Sequence, residues 1–323
     1  MKRISLILAV CAVLALAMPA AAGTTFISIG TGGTGGVYYP YGGGLAEIWS
    51  KYIPGVKAVA EVTGASVENT KLADRGETVI GEIMGDVAFQ GYHGEGKFKG
   101  KPQKILTMAA MYPNILQIVT LKGSGINNVT DFKGKTISIG APGSGTAFMA
   151  NLVLKALGIP LNSFSVRRLS FNESANALRD GTIDAGFWVV APGTSSIMDL
   201  ATTHNIEIVS FTPEQQKKVT DAYGFYSTWT LDGGVYRGVD KPVPTISVWN
   251  VIICQASLDA DLVYNLVKVL FEQNAYMCKI HPFAKYTTPQ NAVGKSPIPL
   301  HPGAVKYLKE KGVAVPAKLI PKG

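Results

Sequence analysis

The sequence predicts an α/β protein of two Rossmann-like lobes joined by crossing strands, and three observations lead to that fold class. A short apolar strand runs into a glycine-rich turn and then a helix at residues 26–36, and again at residues 136–146. Around these turns strand and helix patterns alternate, as in a mostly parallel sheet with crossover helices. A long apolar strand at residues 246–254 then returns towards the first half, so the chain crosses between the lobes twice.

The N-terminus carries the pattern of an export signal. Lys2 and Arg3 precede an apolar run at residues 4–18, and three alanines at residues 20–22 supply small residues for cleavage. The run is shorter than the roughly 20 apolar residues that span a bilayer. We therefore expect residues 1–22 to be a signal peptide, and the protein to be periplasmic.

Composition is typical of a compact, turn-rich α/β protein rather than a disordered chain. Charged residues make up only 16% of the sequence, and 36 residues are glycine. The formal charge of +8 falls to +6 when Lys2 and Arg3 are removed, which suits a small acidic ligand or an anionic membrane surface. The basic residues are scattered and do not interleave with aromatic ones, so nucleic acid is excluded as a partner.

The first half of the sequence has the pattern of a strand, a glycine turn and a helix, followed by further alternating strands and helices. Pro40 suits a first helical turn, and the helix that follows ends at Pro54 and Gly55. The pattern then predicts a strand at residues 56–62, a helix at 66–75 and a strand at 86–89.

The second half repeats this order. Its predicted elements are strands at residues 116–121, 136–139, 165–169 and 183–190, with helices at 147–157 and 172–180. The tail adds the strand at 246–254, a helix from Asp259, a proline-rich segment and a last helix at 304–311. We expect residues 23–115 plus 250–323 to form lobe 1, and residues 116–249 to form lobe 2.

The two glycine turns are the strongest candidates for a binding site. Each exposes backbone N–H groups at a helix N-terminus, where the helix dipole favours an anion. The second turn lacks the lysine of a nucleotide-binding P-loop, so a carboxylate is the better fit. The candidate residues of the two turns are Gly33, Thr34, Gly35, Gly36, Ser144, Gly145 and Thr146.

Aromatic and polar residues near strand and helix ends extend this candidate site. Open α/β sheets bind ligands at the carboxyl ends of their strands, and aromatic side chains at such ends often line pockets. The same residues are equally often core fillers. The candidates are Tyr38, Tyr39, Gln90, Tyr112 and Trp188.

Signals for catalysis, metals and cofactors are weak. The four histidines show no ligand spacing, and Ser144 lacks both a nucleophile-elbow motif and a histidine or aspartate placed to activate it. We therefore expect a protein that is not an enzyme and holds neither a metal nor a cofactor. Cys254 and Cys278 could form a disulfide in an oxidising compartment or stay as buried thiols, and the sequence leaves this open.

Several segments together resemble a known family. These segments are residues 30–40 (GTGGTGGVYYP), 63–69 (TGASVEN), 143–146 (GSGT), 178–185 (LRDGTIDA) and 299–304 (PLHPGA). The chain resembles, over nearly all of residues 24–312, the TAXI family of solute-binding proteins that serve tripartite ATP-independent periplasmic (TRAP) transporters.

That resemblance implies a two-lobed, type II-like periplasmic binding fold without catalysis. It further implies capture of a small carboxylate, such as glutamate or a related dicarboxylate, and delivery to the integral membrane permease of a TRAP transporter. Ser66, Asn69 and Gln90 would join the two glycine turns as ligand contacts. Residues 76–86 depart from the family pattern and read as an expansion that reshapes the rim of the cleft.

Two other functions stay open at this stage. The chain could be the binding component of an ATP-driven importer or of a sensor, which would share both the fold and the ligand. Gly30, Gly32 and Gly35 also satisfy the dinucleotide fingerprint, with Glu61 as a ribose acceptor, so an exported Rossmann-type oxidoreductase is the enzyme alternative.

Overall fold

The computed structural model describes residues 23–321, and ten strands and eleven α-helices lie in this part of the chain. The predicted signal peptide, residues 1–22, lies outside the described residues. The strands are β1 (Thr25–Gly30), β2 (Val56–Glu61), β3 (Ile80–Met84), β4 (Ile105–Leu121), β5 (Thr136–Ser138), β6 (Ser165–Arg167), β7 (Ala185–Val190), β8 (Ile206–Ile208), β9 (Tyr226–Leu231) and β10 (Val243–Gln255). The helices are α1 (Tyr38–Tyr52), α2 (Ser66–Arg75), α3 (Gly85–His93), α4 (Gly145–Ala156), α5 (Phe171–Arg179), α6 (Ser195–Thr203), α7 (Pro213–Ala222), α8 (Ala260–Glu272), α9 (Asn274–Ile280), α10 (Pro289–Lys295) and α11 (Pro302–Glu310).

All ten strands belong to one sheet with the order β2-β1-β3-β10-β4-β7-β5-β6, while β8 pairs with β4 and β9 with β10. The two ends of this order are parallel: β1 pairs with β2 and β3, and β5 pairs with β6 and β7. Each end is therefore a βαβαβ unit, with α1 and α2 in the first and α4 and α5 in the second. This repeat agrees with the two Rossmann-like lobes that the sequence predicts.

Two long antiparallel strands join the halves of the sheet. β4 has 17 residues, and every one except the last is buried, because it lies in the middle of the sheet with helices on both faces. β10 pairs with β4 from Ser247 opposite Ile115 to Gln255 opposite Ile105. These are the two crossing strands that the sequence predicts. The lobe boundaries at residues 115 and 250 fall within them, and we retain that division as a proposal.

Helix starts follow local capping rules. Ser170 caps α5 in a capping box with Glu173, and Thr212 caps α7 in the same way with Gln215. The side chain of Asp259 accepts a hydrogen bond from Leu262 N at the start of α8. The helices predicted at residues 147–157 and 172–180 lie within two residues of the observed α4 and α5, whereas α6 and α7 were not predicted.

One predicted strand is wrong. Residues 86–89 belong to α3, which ends at Gly94 in the left-handed conformation, and the strand that precedes it is β3. A run of three apolar residues, Val87 to Phe89, fits a helix as well as a strand. Its length is too short to distinguish the two structures. Residues 76–86 contain β3, which lies buried between β1 and β10, and the expected expansion of the cleft rim there stays a prediction.

The two cysteines in the described part of the chain are free thiols. Cys254 is fully buried in β10, and burial raises the pKa of its thiol, while Cys278 lies on α9. None of the helices within residues 23–321 is long and apolar enough to cross a bilayer.

Candidate ligand-binding cleft

A partly open cavity of about 110 Å³ lies where the two halves of the sheet face each other. It is formed by the segments that follow β1, β2, β5 and β6, together with the last residues of β3 and β7. The carboxyl ends of both parallel units therefore meet at one place, as expected for a ligand site in an α/β sheet. The lining residues are Gly32, Gly33, Gly36, Val37, Tyr38, Thr63, Gly64, Ala65, Ser66, Met84, Asn114, Ala141, Ser144, Gly145, Thr146, Ser170, Phe171, Val189 and Val190.

The second glycine turn gives the cavity its clearest anion-binding feature, the N-terminus of α4. The Ser144 hydroxyl caps the helix, accepting from Ala147 N at 3.0 Å and donating to Ala141 O at 2.7 Å. The N–H groups of Gly145 and Thr146 precede the first intrahelical bond and border the cavity. Ser144 is therefore a structural cap, while Gly145 and Thr146 present the donors.

Gly145 brings α4 close to the other half of the sheet. A Cβ atom at this position would lie 2.3 Å from Met84 Sδ and 2.6 Å from Ser66 Oγ. A larger residue fits only if the Met84 and Ser66 side chains move. The absence of a side chain at Gly145 thus sets how closely the two sides of the cavity approach.

The first glycine turn supplies the opposite wall. An added Cβ at Gly33 meets no atom within 4 Å, whereas at Gly36 it would lie 3.2 Å from the Phe171 ring. Both residues line the cavity, and Tyr38 follows them at the start of α1.

The Tyr38 phenol is oriented by β10. Its hydroxyl donates to Asn250 Oδ1 at 2.6 Å, and Asn250 Nδ2 in turn donates to the Tyr112 carbonyl at 2.9 Å. Burial is the main cause that raises the pKa of Tyr38, so the phenol stays neutral.

The turn before α2 closes a third side and touches the second glycine turn. The N–H groups of Val67 and Glu68 donate to the Gly143 carbonyl at 3.0 and 3.3 Å. The Ser66 hydroxyl accepts from Met84 N at 3.1 Å and lines the cavity. The N-terminus of α2 is thus already occupied by a carbonyl from the other side of the cleft.

Half of the predicted site residues line the cavity. They are Gly33, Gly36, Tyr38, Ser66, Ser144, Gly145 and Thr146. All of them come from the two glycine turns, the helix starts that follow these turns, and the start of α2.

Four other predicted site residues support the cavity walls without lining them. Asn69 is fully buried and its Nδ2 donates to the carbonyls of Gly30, Thr31 and Glu82, which fastens the first glycine turn. The remaining three hold the same turn against α5 and α6. Asn172 Nδ2 donates to Thr34 Oγ1 at 3.4 Å, Ser196 Oγ donates to Gly35 O at 2.9 Å, and Trp188 Nε1 donates to Ser196 Oγ at 3.1 Å.

The last three predicted site residues lie away from the cavity wall. Tyr39 is 38% exposed, and Tyr112 is fully buried against Tyr41, with ring centroids 5.3 Å apart. Gln90 lies on α3 and faces the turn at Gly96. Its placement beside the ligand depended on the incorrect strand at residues 86–89, which explains why it is not there.

Sequence reasoning missed several lining residues, and Asn114 is the most informative. Asn114 is 3% exposed in the middle of β4, where the apolar pattern gives no sign of a cavity. Its Nδ2 donates to Val189 O at 3.0 Å, and its Oδ1 has no hydrogen-bond partner among the described residues. The other missed side chains, on Val37, Thr63, Ala65, Met84, Ala141, Ser170, Phe171, Val189 and Val190, are mostly apolar or small.

The cavity wall lacks ionisable groups that could balance a ligand charge. Among the described residues, those that line it include no Lys, Arg, His, Asp or Glu. No group of three or more His, Cys, Asp and Glu side chains within residues 23–321 could hold a metal ion. Backbone dipoles and hydroxyl groups therefore dominate the electrostatics of the wall.

Comparisons with known proteins agree with this architecture. A profile of the NMT1-like family matches residues 29–312. A ligand-binding component of an ABC-type import system from Staphylococcus aureus, solved with zinc bound, superposes with a TM-score of 0.52 at 13% identity, covering 92% of this chain and 97% of that one.

Two further structures match to a similar degree. One belongs to a structural description of glutathione import via GshT and the cystine ABC importer TcyBC of Streptococcus mutans, with a TM-score of 0.52, 14% identity, and coverage of 81% of this chain and 95% of that one. The other is a protein of Bordetella bronchiseptica RB50, with a TM-score of 0.51, 19% identity, and coverage of 91% and 90%. These matches confirm the predicted fold class, that of two-lobed periplasmic solute-binding proteins.

Proposed function

The chain belongs to the NMT1-like family, and from this membership and its cleft we propose that it is an extracytoplasmic solute-binding protein that captures a small carboxylate. The observation that carries this proposal is the cavity between the two parallel units, with the free N–H groups of α4 on its wall. Charge-assisted hydrogen bonds from such donors stabilise a bound anion by roughly 1.5 to 3 kcal/mol each when water is excluded.

In the proposed mechanism the two lobes close around the ligand, and no chemical reaction takes place. The ligand contacts both sides of the cleft only when the lobes are together, so binding shifts the population towards the closed form. The closed complex then delivers its ligand to a membrane permease. Residues 1–22 would direct export and be removed before Gly23.

Two kinds of permease compete as the partner. The Staphylococcus aureus structure is named as a component of an ABC-type import system, which supports an ABC permease. The resemblance to TAXI proteins supports a TRAP permease instead. Uptake of labelled ligand by cells that export the protein separates the two: it continues without ion gradients if ATP drives it, and stops if a TRAP permease does.

Calorimetry of the purified protein against small organic acids and their uncharged amides tests the proposed function. We expect at least one acid to bind, and its amide to bind at least tenfold more weakly. A ligand at 100 times its Kd should stabilise the protein by about 2.7 kcal/mol. NAD serves as the control: an engineered apolar cavity of about 150 Å³ holds a molecule as small as benzene, so a cavity of about 110 Å³ should not admit a dinucleotide. If NAD binds and no acid does, the protein is not a carboxylate receptor.

A further inference from the structure

The unpaired oxygen of Asn114 points to a second group on the ligand. Asn114 is 97% buried (3% exposed), and the hydrogen bond from its Nδ2 to Val189 O fixes the orientation of the amide. Its Oδ1 therefore stays an acceptor, and it has no partner among the described residues. A buried acceptor left without a donor is unfavourable, so a ligand that donates to it is preferred over one that does not.

Tyr38 also lines the cavity, but its hydroxyl proton already forms a hydrogen bond to Asn250. Asn250 is held by its own bond to the Tyr112 carbonyl, so its Oδ1 faces Tyr38 and accepts the phenol proton at 2.6 Å. Asn114 thus needs its donor from the ligand.

The residues around the cavity limit which additional charged groups the ligand can carry. An α-ammonium group would need a carboxylate, and the described lining residues include none. A second carboxylate would need another free cation or helix N-terminus. The end at α2 already donates to Gly143 O through Val67 and Glu68. The start of α1, at Val37 and Tyr38, lines the cavity without a side-chain cap and could receive a second carboxylate.

The surroundings of Asn114 are apolar. Met84, Phe171, Val189 and Val190 line the same cavity, and its volume of about 110 Å³ suits a short carbon chain.

We propose that the cleft binds a short-chain hydroxy carboxylate, with a carboxylate on the N-terminus of α4 and its hydroxyl donating to Asn114 Oδ1. Amino acids are disfavoured because the described cavity wall includes no carboxylate to pair an α-ammonium group. This inference rests on the proposed function and narrows its ligand class.

Calorimetry with matched pairs tests the inference on the unaltered protein: lactate against propionate, and 3-hydroxybutyrate against butyrate. We expect one hydroxy acid to bind at least tenfold more tightly than its deoxy partner, and more tightly than glutamate. The variant Asn114→Ala should bind both members of the preferred pair with equal affinity. Asn176→Ala, on the exposed face of α5, should keep the preference.

The outcomes separate the two levels of the proposal. If glutamate binds most tightly, or if the hydroxy and deoxy acids bind equally, the hydroxy-acid assignment is overturned while carboxylate binding stands. If no acid in the panel binds, both proposals fail. The matched pairs on the unaltered protein decide the question even if Asn114→Ala does not fold.

Discussion

Thr146 combines two possible contacts to a carboxylate, since its backbone N–H and its hydroxyl both lie at the start of α4. It is 4% exposed and lines the cavity. Thr146→Val keeps the shape and the backbone donor but removes the hydroxyl. We expect binding of the preferred acid to weaken about tenfold or more, because a hydrogen bond to a charged group is worth about 1.5–3 kcal/mol.

Titration calorimetry measures this change, and the melting temperature of the ligand-free variant should stay nearly the same. Thr220→Val on α7, whose hydroxyl donates to Gln216 O, is the matched control and should bind normally. Unchanged affinity in Thr146→Val would remove this hydroxyl from the proposed carboxylate site.

Asp86 makes the stability of the protein depend on pH. Its Oδ2 accepts from the Tyr226 hydroxyl at 2.7 Å and its Oδ1 from Val87 N at 2.8 Å, but burial outweighs these bonds and raises its pKa to about 7. The folded state therefore holds a proton that the unfolded chain releases above about pH 4. The stabilisation is fully present below that pH and is lost as the pH rises through about 7.

Asp86→Asn should remove this dependence, because an amide stays neutral at every pH. The variant should gain stability relative to the unaltered protein as the pH rises from about 5 to about 8. Urea unfolding measures the free energy of unfolding of both proteins at the two pH values. Titration of other groups affects both proteins equally, so it cancels when the two are compared. An equal change in both proteins would show that Asp86 is ionised throughout.

At the scale of elements, the turn between β2 and α2 carries unusual backbone conformation beside the cavity. Ala65 has φ 71° and ψ −145°, and it is the one non-glycine residue with positive φ in the described part of the chain. Such conformations cost on the order of 1–3 kcal/mol for a residue with a Cβ atom.

Ala65→Gly should therefore raise the free energy of unfolding by about 1 kcal/mol, after the added freedom of the unfolded chain is subtracted. Ala177→Gly in α5 is the matched control and should lower it by about 1 kcal/mol, since glycine is unfavourable within a helix. Urea denaturation measures both variants. A loss of stability in Ala65→Gly would mean that the alanine methyl contributes more than the backbone costs.

At the scale of the whole molecule, contacts beside the cavity hold its two sides together without lining it. Ser196 on α6 donates to Gly35 O in the first glycine turn, and it also accepts from Trp188. If closure accompanies binding, Ser196→Ala should weaken ligand affinity about fivefold, because a hydrogen bond contributes roughly 1 kcal/mol to the closed form.

Solution scattering should show that ligand makes the unaltered protein more compact, and that Ser196→Ala needs more ligand for the same change. Ser257→Ala is the control, because the Ser257 hydroxyl contacts only the nearby Gln255 side chain. Normal affinity in Ser196→Ala would place this contact outside the closure mechanism.

The sequence by itself determined the repeated strand, glycine turn and helix, the two crossing strands and seven of the 19 residues that line the cavity. Those features depend on local signals: glycines at turns, capping residues at helix starts and the period of apolar residues. The same signals could not distinguish α3 from a strand, because three apolar residues fit either structure.

Only the tertiary structure decided what faces the ligand. Asn114 lies in a buried strand, and its unpaired oxygen exists because Val189 on the neighbouring strand β7 takes its amide N–H. Likewise, Gly143 occupies the N-terminus of α2 from across the cleft, whereas the starts of α1 and α4 keep N–H groups free beside the cavity. Hydrogen-bond partners far apart in the chain are set by packing, so local sequence patterns cannot reveal which polar groups stay free for a ligand.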